Sequence, residues 1–268
     1  FFGGTRNRPQ TVWGSVVGDY ENHAPSQADG DVLDDSAVTF TIADDRVNAI
    51  RWMSAGKTLA IGTAGGEFSL SAAGVNEAVS PTSVNVRRET TKGCADLQPI
   101  RIGPAVLFVQ RARRKLHELV YDFQADALQA PELSILAQHM LEPGIADIAL
   151  QAEPWSVIWS IRDDGALLGL TYLREQQVAG WHRHPLGGGG KARSLAVIPG
   201  AAQDELWLVV ERVVGGVTRR WVEVLEHAFK PAHSLDHGGA FFVDAGLSYD
   251  GWNVDAAKTL ALTGAGGW

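Results

Sequence analysis

Apolar and polar residues alternate with a period of two along much of the chain. The runs SAVTFTI (36–42), GEFSLSA (66–72) and TSVNVRR (82–88) place every second side chain on one face. That pattern predicts strands with one buried face. Four other runs are more continuously apolar: AVLFV (105–109), SVIWSI (156–161), LLGLTYL (167–173) and ELWLVVERV (205–213). They predict strands covered on both faces. Between the runs stand SAGK (54–57), AGG (64–66), DDG (163–165) and VGG (214–216). Glycine there supplies the positive φ that tight hairpin turns require. Helical spacing is confined to PELSILAQHML (131–141). Pro131 and Glu132 suit a first turn, and Leu133, Leu136, Ala137 and Met140 recur at intervals of three to four. One short helix is predicted there.

The strands recur in a loose repeat. Residues 47–70, 156–184 and 193–225 each give strand, turn, strand, turn, strand. This order fits four-stranded β-propeller blades of roughly 40–50 residues. An all-β fold is expected, with a propeller of about five blades over residues 1–226. Radial packing of blades covers both faces of a strand, whereas a sandwich leaves one face wet. After Leu225 the polar stretch EHAFKPAHSLDHGGA, with Pro231 and two adjacent glycines, reads as a linker centred on 227–240. Alternation resumes in FFVDAGLSYDG (241–251) and KTLALTG (258–264), so a second β domain is expected to start at 241 and run to 268. The chain opens on Phe1-Phe2 and stops within a strand-like pattern, which reads as an internal piece of a longer polypeptide or a processed product.

Composition narrows the function classes. Hydrophobic residues make up 45% and charged residues 20% of the 268, an ordinary globular balance that excludes extended disorder. The net charge of -8 disfavours nucleic-acid or anionic-membrane binding by the bulk surface. Cys94 is the single cysteine, so no intrachain disulfide forms, which suits assembly in a cytoplasm. No apolar run approaches the roughly 18 residues of a membrane-spanning helix.

Candidate chemistry is sparse. The chain has no G-x-S-x-G, H-E-x-x-H or phosphate-loop motif. The acidic pairs Asp34-Asp35, Asp44-Asp45 and Asp163-Asp164 sit in turn contexts, where Asp bonds its own backbone. DGDVLDD (29–35) lacks the full calcium-loop spacing and the distal Glu. RARRK (111–115) lies between two strands. It predicts a hairpin turn whose Arg111, Arg113 and Arg114 are solvated, paired with acids, or in contact with a phosphate backbone. In AGWHRHPLGGGGKARS (179–194), His182 and His184 alternate along a strand and share a face. A metal needs a third ligand, which is not near in sequence. The four glycines lead into a strand, not into the helix that a phosphate loop requires. A strand end, a mobile glycine turn and the next strand are expected, with Trp181, Trp207 and Trp221 packed between blades. No catalytic, cofactor-binding or metal-binding residue is assigned. Arg111, Arg113, Arg114, His182 and His184 remain as candidate interaction or lumen residues.

Five segments, taken in order, carry a resemblance. They are FFGGTRNRPQTVWGSVVGDYENH (1–23), FTIADDRVNAIRWMSAGKTLAIGTAGGEFSL (40–70), VSPTSVNVRRETTKGCADLQPIRIGPAVLFVQRARRKLHELVYDF (79–123), GLTYLREQQVAGWHRH (169–184) and AFFVDAGLSYDG (240–251). As a set they resemble the tail nozzle, or tail tubular, proteins of short-tailed bacteriophages and prophages, some of which are termed DNA-stabilisation proteins. The resemblance implies a propeller-bearing structural subunit without catalytic residues or cofactor. It implies a homo-oligomeric ring, usually a hexamer, that meets the tail adaptor and other tail proteins and surrounds genomic DNA on its way out. It places the protein in the virion tail after assembly in the bacterial cytoplasm, with part of the propeller outside this chain. The readings from other classes are a propeller-fold glycoside hydrolase or lyase, with acidic and aromatic side chains converging at the axis, and a cellular propeller scaffold.

Overall fold

The computed structural model describes residues 1–45, 49–74 and 77–226. The expected linker (227–240) and second β domain (241–268) lie outside these residues. The fold is all-β: the described residues form small antiparallel sheets of the propeller-blade kind. They fall into two compact units, Phe1–Gly144 and a second from Ile145 onward.

Three sheets build the first unit. β1 (Phe2–Gly3), β2 (Thr11–Gly14) and β3 (Val38–Thr41) form the first. β4 (Ile50–Ser54), β5 (Leu59–Thr63), β6 (Glu67–Ser71) and β7 (Asn85–Thr90) form a four-stranded meander. β8 (Ile100–Ile102), β9 (Ala105–Val109), β10 (Leu116–Asp122) and β11 (Ala127–Gln129) form another. Consecutive sheets are joined by apolar side chains. Val12 and Ile42 pack with Ile50, Ile61, Phe68 and Leu70 of the second sheet. From that sheet's opposite side, Trp52 and Ala60 pack with Val106, Phe108 and Leu119 of the third. Sheet faces that each bury apolar side chains against a neighbour are what remove this surface from water.

Among the described residues, the second unit holds two sheets. β12 (Ile145–Gln151), β13 (Val157–Arg162), β14 (Leu167–Leu173) and β15 (Val178–His184) form a four-stranded meander. β16 (Lys191–Pro199), β17 (Asp204–Val214) and β18 (Val217–Val224) form the other. Trp159, Ile161 and Leu167 of the first pack against Ala192, Leu195, Leu206, Leu208 and Val210 of the second.

Turns form where glycine marked them, between β4 and β5, β5 and β6, β13 and β14, and β17 and β18. β9 is buried at every position, and β13 and β14 are buried along most of their length. β17 instead alternates, with Leu206, Leu208 and Val210 inward.

The expected helix over 131–141 is replaced by a 3-10 segment, Ile135–Met140. The residues that suited a first turn are recruited as an extended strip along β10. The Glu118 N–H donates to the Pro131 carbonyl (3.0 Å), and the Leu133 N–H donates to the Leu116 carbonyl (2.9 Å). The buried Ser134 hydroxyl accepts the Leu116 N–H at 3.2 Å. Too few residues then remain for α-helical turns, and Leu136 is 92% exposed, not on a buried stripe.

The tryptophans also distribute differently from expectation. Trp181, Trp207 and Trp221 are half-buried. Trp207 lies on the face of β17 opposite Leu206 and Leu208, and its indole N–H donates to Glu205 Oε2 at 3.0 Å. Among the described residues, the core tryptophans are Trp52 and Trp159. Each stands directly across from a glycine on the next strand, Gly62 and Gly169 respectively. A Cβ on Gly62 would lie 2.0 Å from the Trp52 ring, so only glycine lets that ring lie flat over β5.

Candidate functional site

Each sequence candidate lies in a hairpin or on an edge strand. On the sheet of β12–β15, Trp159, Gly169 and His182 stand in register across β13, β14 and β15. Directly opposed residues share a face. With no side chain at Gly169, the His182 ring covers that position; a Cβ there would sit 2.1 Å from His182 Cε1. His184 is opposite Leu167 on the same face. The two imidazoles converge, with His182 Nδ1 and His184 Nε2 2.6 Å apart. The Thr171 hydroxyl lies 3.2 Å from His182 Nε2. One N–H therefore points from one ring to the other, and Thr171 completes a chain of three groups. Trp159 is edge-on to both rings, at 4.8 Å from His184 and 6.2 Å from His182. Burial holds both imidazoles below the usual histidine range, and for His184 a charge on His182 adds to it. A neutral, hydrogen-bonded dyad results. Among the described residues, no group of three or more His, Cys, Asp or Glu side chains is placed to hold a metal ion.

The glycines after the dyad form one 3-10 turn, Gly187–Gly189, with Gly188 and Gly189 at φ of 62° and 65°. Arg212 Nε donates to the Gly187 carbonyl at 2.8 Å.

Arg111, Arg113 and Arg114 occupy the tip of the β9–β10 hairpin, closed by the Gln110 N–H on the Lys115 carbonyl at 2.9 Å. All three are exposed. Arg113 takes a left-handed φ of 60°. Lys115 is turned away from them onto Glu132, at 2.8 Å. The hairpin belongs to the first unit and the histidine dyad to the second.

The sequence candidates omitted a buried cluster in the first unit. Trp52, Gly62, Glu67 and Thr90 form a row across β4, β5, β6 and β7. Glu67 is 0% exposed. One oxygen accepts the Thr90 hydroxyl, and backbone N–H groups of Lys92 and Gly93 also stabilise the carboxyl. Oε1 and the Trp52 indole nitrogen are buried without hydrogen-bond partners. Burial outweighs the favourable bonds and pushes the carboxyl up to about 7. Cys94 donates its S–H to the Thr63 carbonyl at 3.2 Å, and burial pushes its thiol upward, which makes it inert at neutral pH. The strand alternation of GEFSLSA assigned Glu67 to a wet face, and no motif distinguishes it. A β-bulge between Glu67 and Phe68 and the covering segment 90–94 are what bury it.

The acidic pairs are occupied locally. Asp44 and Asp45 face Arg88, at 2.9 and 3.4 Å. Asp164 binds Arg162 and caps the Ala166 N–H of its turn. Asp34 accepts the Thr82 hydroxyl at 3.0 Å, and Asp29 accepts the Asp31 N–H at 3.1 Å. Among the described residues, no helix is long and apolar enough to cross a membrane.

No family model matches the sequence, and no curated protein is similar to it. Among solved structures, one similar chain comes from Bacteroides uniformis and carries the provisional name 6-phosphogluconolactonase. It is 12% identical at a TM-score of 0.38, with 75% of this chain and 66% of that chain covered, under two thirds of its length. A likeness that slight carries no argument about this protein.

Proposed function

We propose that this chain is a non-enzymatic structural subunit of the tail nozzle of a short-tailed bacteriophage or prophage. It contributes to a homo-oligomeric ring, a hexamer, that extends the DNA-exit channel beyond the adaptor and helps to retain and release the genome. The observation that carries the reading is the order of the family-like segments along the chain. Residues 1–23 include β1 and β2, residues 40–70 include β4 to β6, residues 79–123 include β7 to β10, and residues 169–184 include β15. Blade-like meanders in that order are the architecture the resemblance implies. The absence of acidic convergence among the described pairs favours a structural role over the glycosidase alternative: each carboxylate pair that sequence offered contains a member bound to a local arginine or hydroxyl.

The test is the mass of the native assembly in solution, joined to imaging of the particles that contain it. A mass six times that of the protomer, with density at the distal end of a short tail, is expected. A monomer in solution that is absent from virions, with no portal or adaptor genes beside its own, overturns the proposal.

A further inference from the structure

Residues 90–94 lead from β7 toward β8 by irregular backbone, yet Gly93, Cys94 and the following Ala95 are buried. Buried backbone outside a ladder has to find partners on other segments. Here they lie on two neighbours. The Cys94 N–H donates to the Thr63 carbonyl at 2.9 Å, and the Ala95 N–H donates to the Val109 carbonyl at 2.8 Å. The Gly93 carbonyl accepts the Arg111 N–H at 3.0 Å. The segment is a strap that joins the β5–β6 turn to the β9–β10 hairpin. It lies close against that turn. A Cβ on Gly93 would meet the Ala64 carbonyl oxygen at 2.5 Å, and one on Gly66 would meet the Thr90 carbonyl oxygen at 2.5 Å.

Glu67 lies beneath the strap. It is sealed from solvent and holds the strap through the Thr90 hydroxyl and the N–H groups of Lys92 and Gly93. Its Oε1 is buried without a hydrogen-bond partner, as is the Trp52 indole nitrogen across the row. A neutral carboxyl tolerates such a place far better than a carboxylate does. The neighbouring charged and titratable groups do not reverse this. On the strap, exposed Lys92 favours the carboxylate, but less than burial disfavours it. The Cys94 thiol is pushed up by burial and then by Glu67. On β4, Arg51 acts on that thiol and meets Asp96 at 3.4 Å. On β5, Gly62 has no side chain to offer.

We propose that residues 90–94 are a proton-held strap. Protonated Glu67 keeps it closed over Cys94 and Trp52, and loss of the proton releases it locally while the sheets stay folded. The released carboxylate gains water, and the strap gives up few bonds besides those to Glu67, Thr63 and the hairpin. Opening uncovers a thiol that is inert while sealed. The device is independent of the tail-nozzle reading.

Hydrogen exchange on the full chain tests it. Rates are corrected for intrinsic exchange at each pH and read at Gly93 and Cys94, with Leu107 and Phe108 of β9 as reference. A carboxyl that titrates at about 7 when covered and 4.5 when open favours opening about 70-fold more near pH 8 than near pH 5. Strap protection should fall by about that factor and should depend little on urea below the unfolding transition, unlike the reference amides. Glu67→Gln should abolish the pH dependence. The rate of Cys94 with dithiodipyridine, taken as parent over Glu67→Gln so that thiol ionisation cancels, should rise by a similar factor. Thr90→Val removes the hydroxyl from Glu67, and should lower strap protection roughly fivefold near pH 5 with Leu107 and Phe108 unchanged. Strap amides that share the urea dependence of β9 would show release only on global unfolding and overturn the proposal. So would equal pH dependence in parent and Glu67→Gln, or full strap protection in Thr90→Val.

Discussion

Replacing Glu67 by glutamine tests whether a buried carboxyl clamps the connector at residues 90–94. In the folded chain the group titrates at about 7, against an ordinary 4.5. The folded state therefore holds its proton over a range in which the unfolded chain has released it. Stability from this group is complete below about pH 4.5, declines as pH rises, and is lost once pH passes about 7. The difference of about 2.5 units corresponds to roughly 3 kcal/mol at 1.36 kcal/mol per unit. Glutamine keeps an acceptor for the Thr90 hydroxyl and the Lys92 and Gly93 N–H groups, and cannot ionise. Glu67→Gln should match the parent in urea unfolding near pH 5 and exceed it by up to about 3 kcal/mol near pH 8. Parallel pH profiles for the two proteins, displaced or not, would refute the idea that Glu67 is the titrating group. A variant weaker than the parent by the same amount at every pH would indicate a lost hydrogen bond with no buried charge behind it.

Other perturbations follow from the same geometry. The imidazoles of His182 and His184 are held below their ordinary range, so their contribution is present above about pH 6.5 and lost as pH falls below it, opposite in sign to Glu67. In a Glu67→Gln background, acid unfolding midpoints for His182→Ala/His184→Ala should depend less on pH below 6.5 than those of the parent. Zinc measured in the purified double variant and in the parent should be at background in both, with the fold intact by circular dichroism; stoichiometric zinc in the parent, lost in the variant, would overturn the dyad interpretation. Gly62→Ala forces a Cβ into the buried Trp52 ring and should cost about 1–3 kcal/mol in urea unfolding. Gly169→Ala meets only the half-buried His182 ring, so it should cost less and release that ring from His184, seen as a histidine titration moving toward its ordinary range.

Strand positions and turns were legible because both are local. Alternation in GEFSLSA marks a strand whatever covers it, and glycine at 165 or 215 and 216 reverses the chain wherever the sheet lies. The turn role of the acidic pairs was legible for the same reason, since Asp164 caps a backbone N–H two residues on. Residues 131–141 misled because their helical spacing is weak, and pairing of Pro131 and Leu133 with β10 satisfies the same backbone groups at longer range.

The sequence by itself determined that this is an all-β chain of short meanders punctuated by glycine, with Arg111, Arg113 and Arg114 between two strands and His182 and His184 on one face of a strand. Only the tertiary structure decided which faces meet. It buried Trp52 over Gly62, laid the His182 ring over Gly169, and left Trp207 on the face of its strand opposite Leu206 and Leu208. It sealed Glu67 beneath residues 90–94, turned His182 and His184 toward one another, and joined Lys92 to an arginine hairpin 19 to 22 residues further on. Periodicity records which residues share a side of a strand. Whether that side meets water, a neighbouring sheet or a charged loop depends on contacts between segments distant in sequence, and those contacts set burial, proton affinity and charge density.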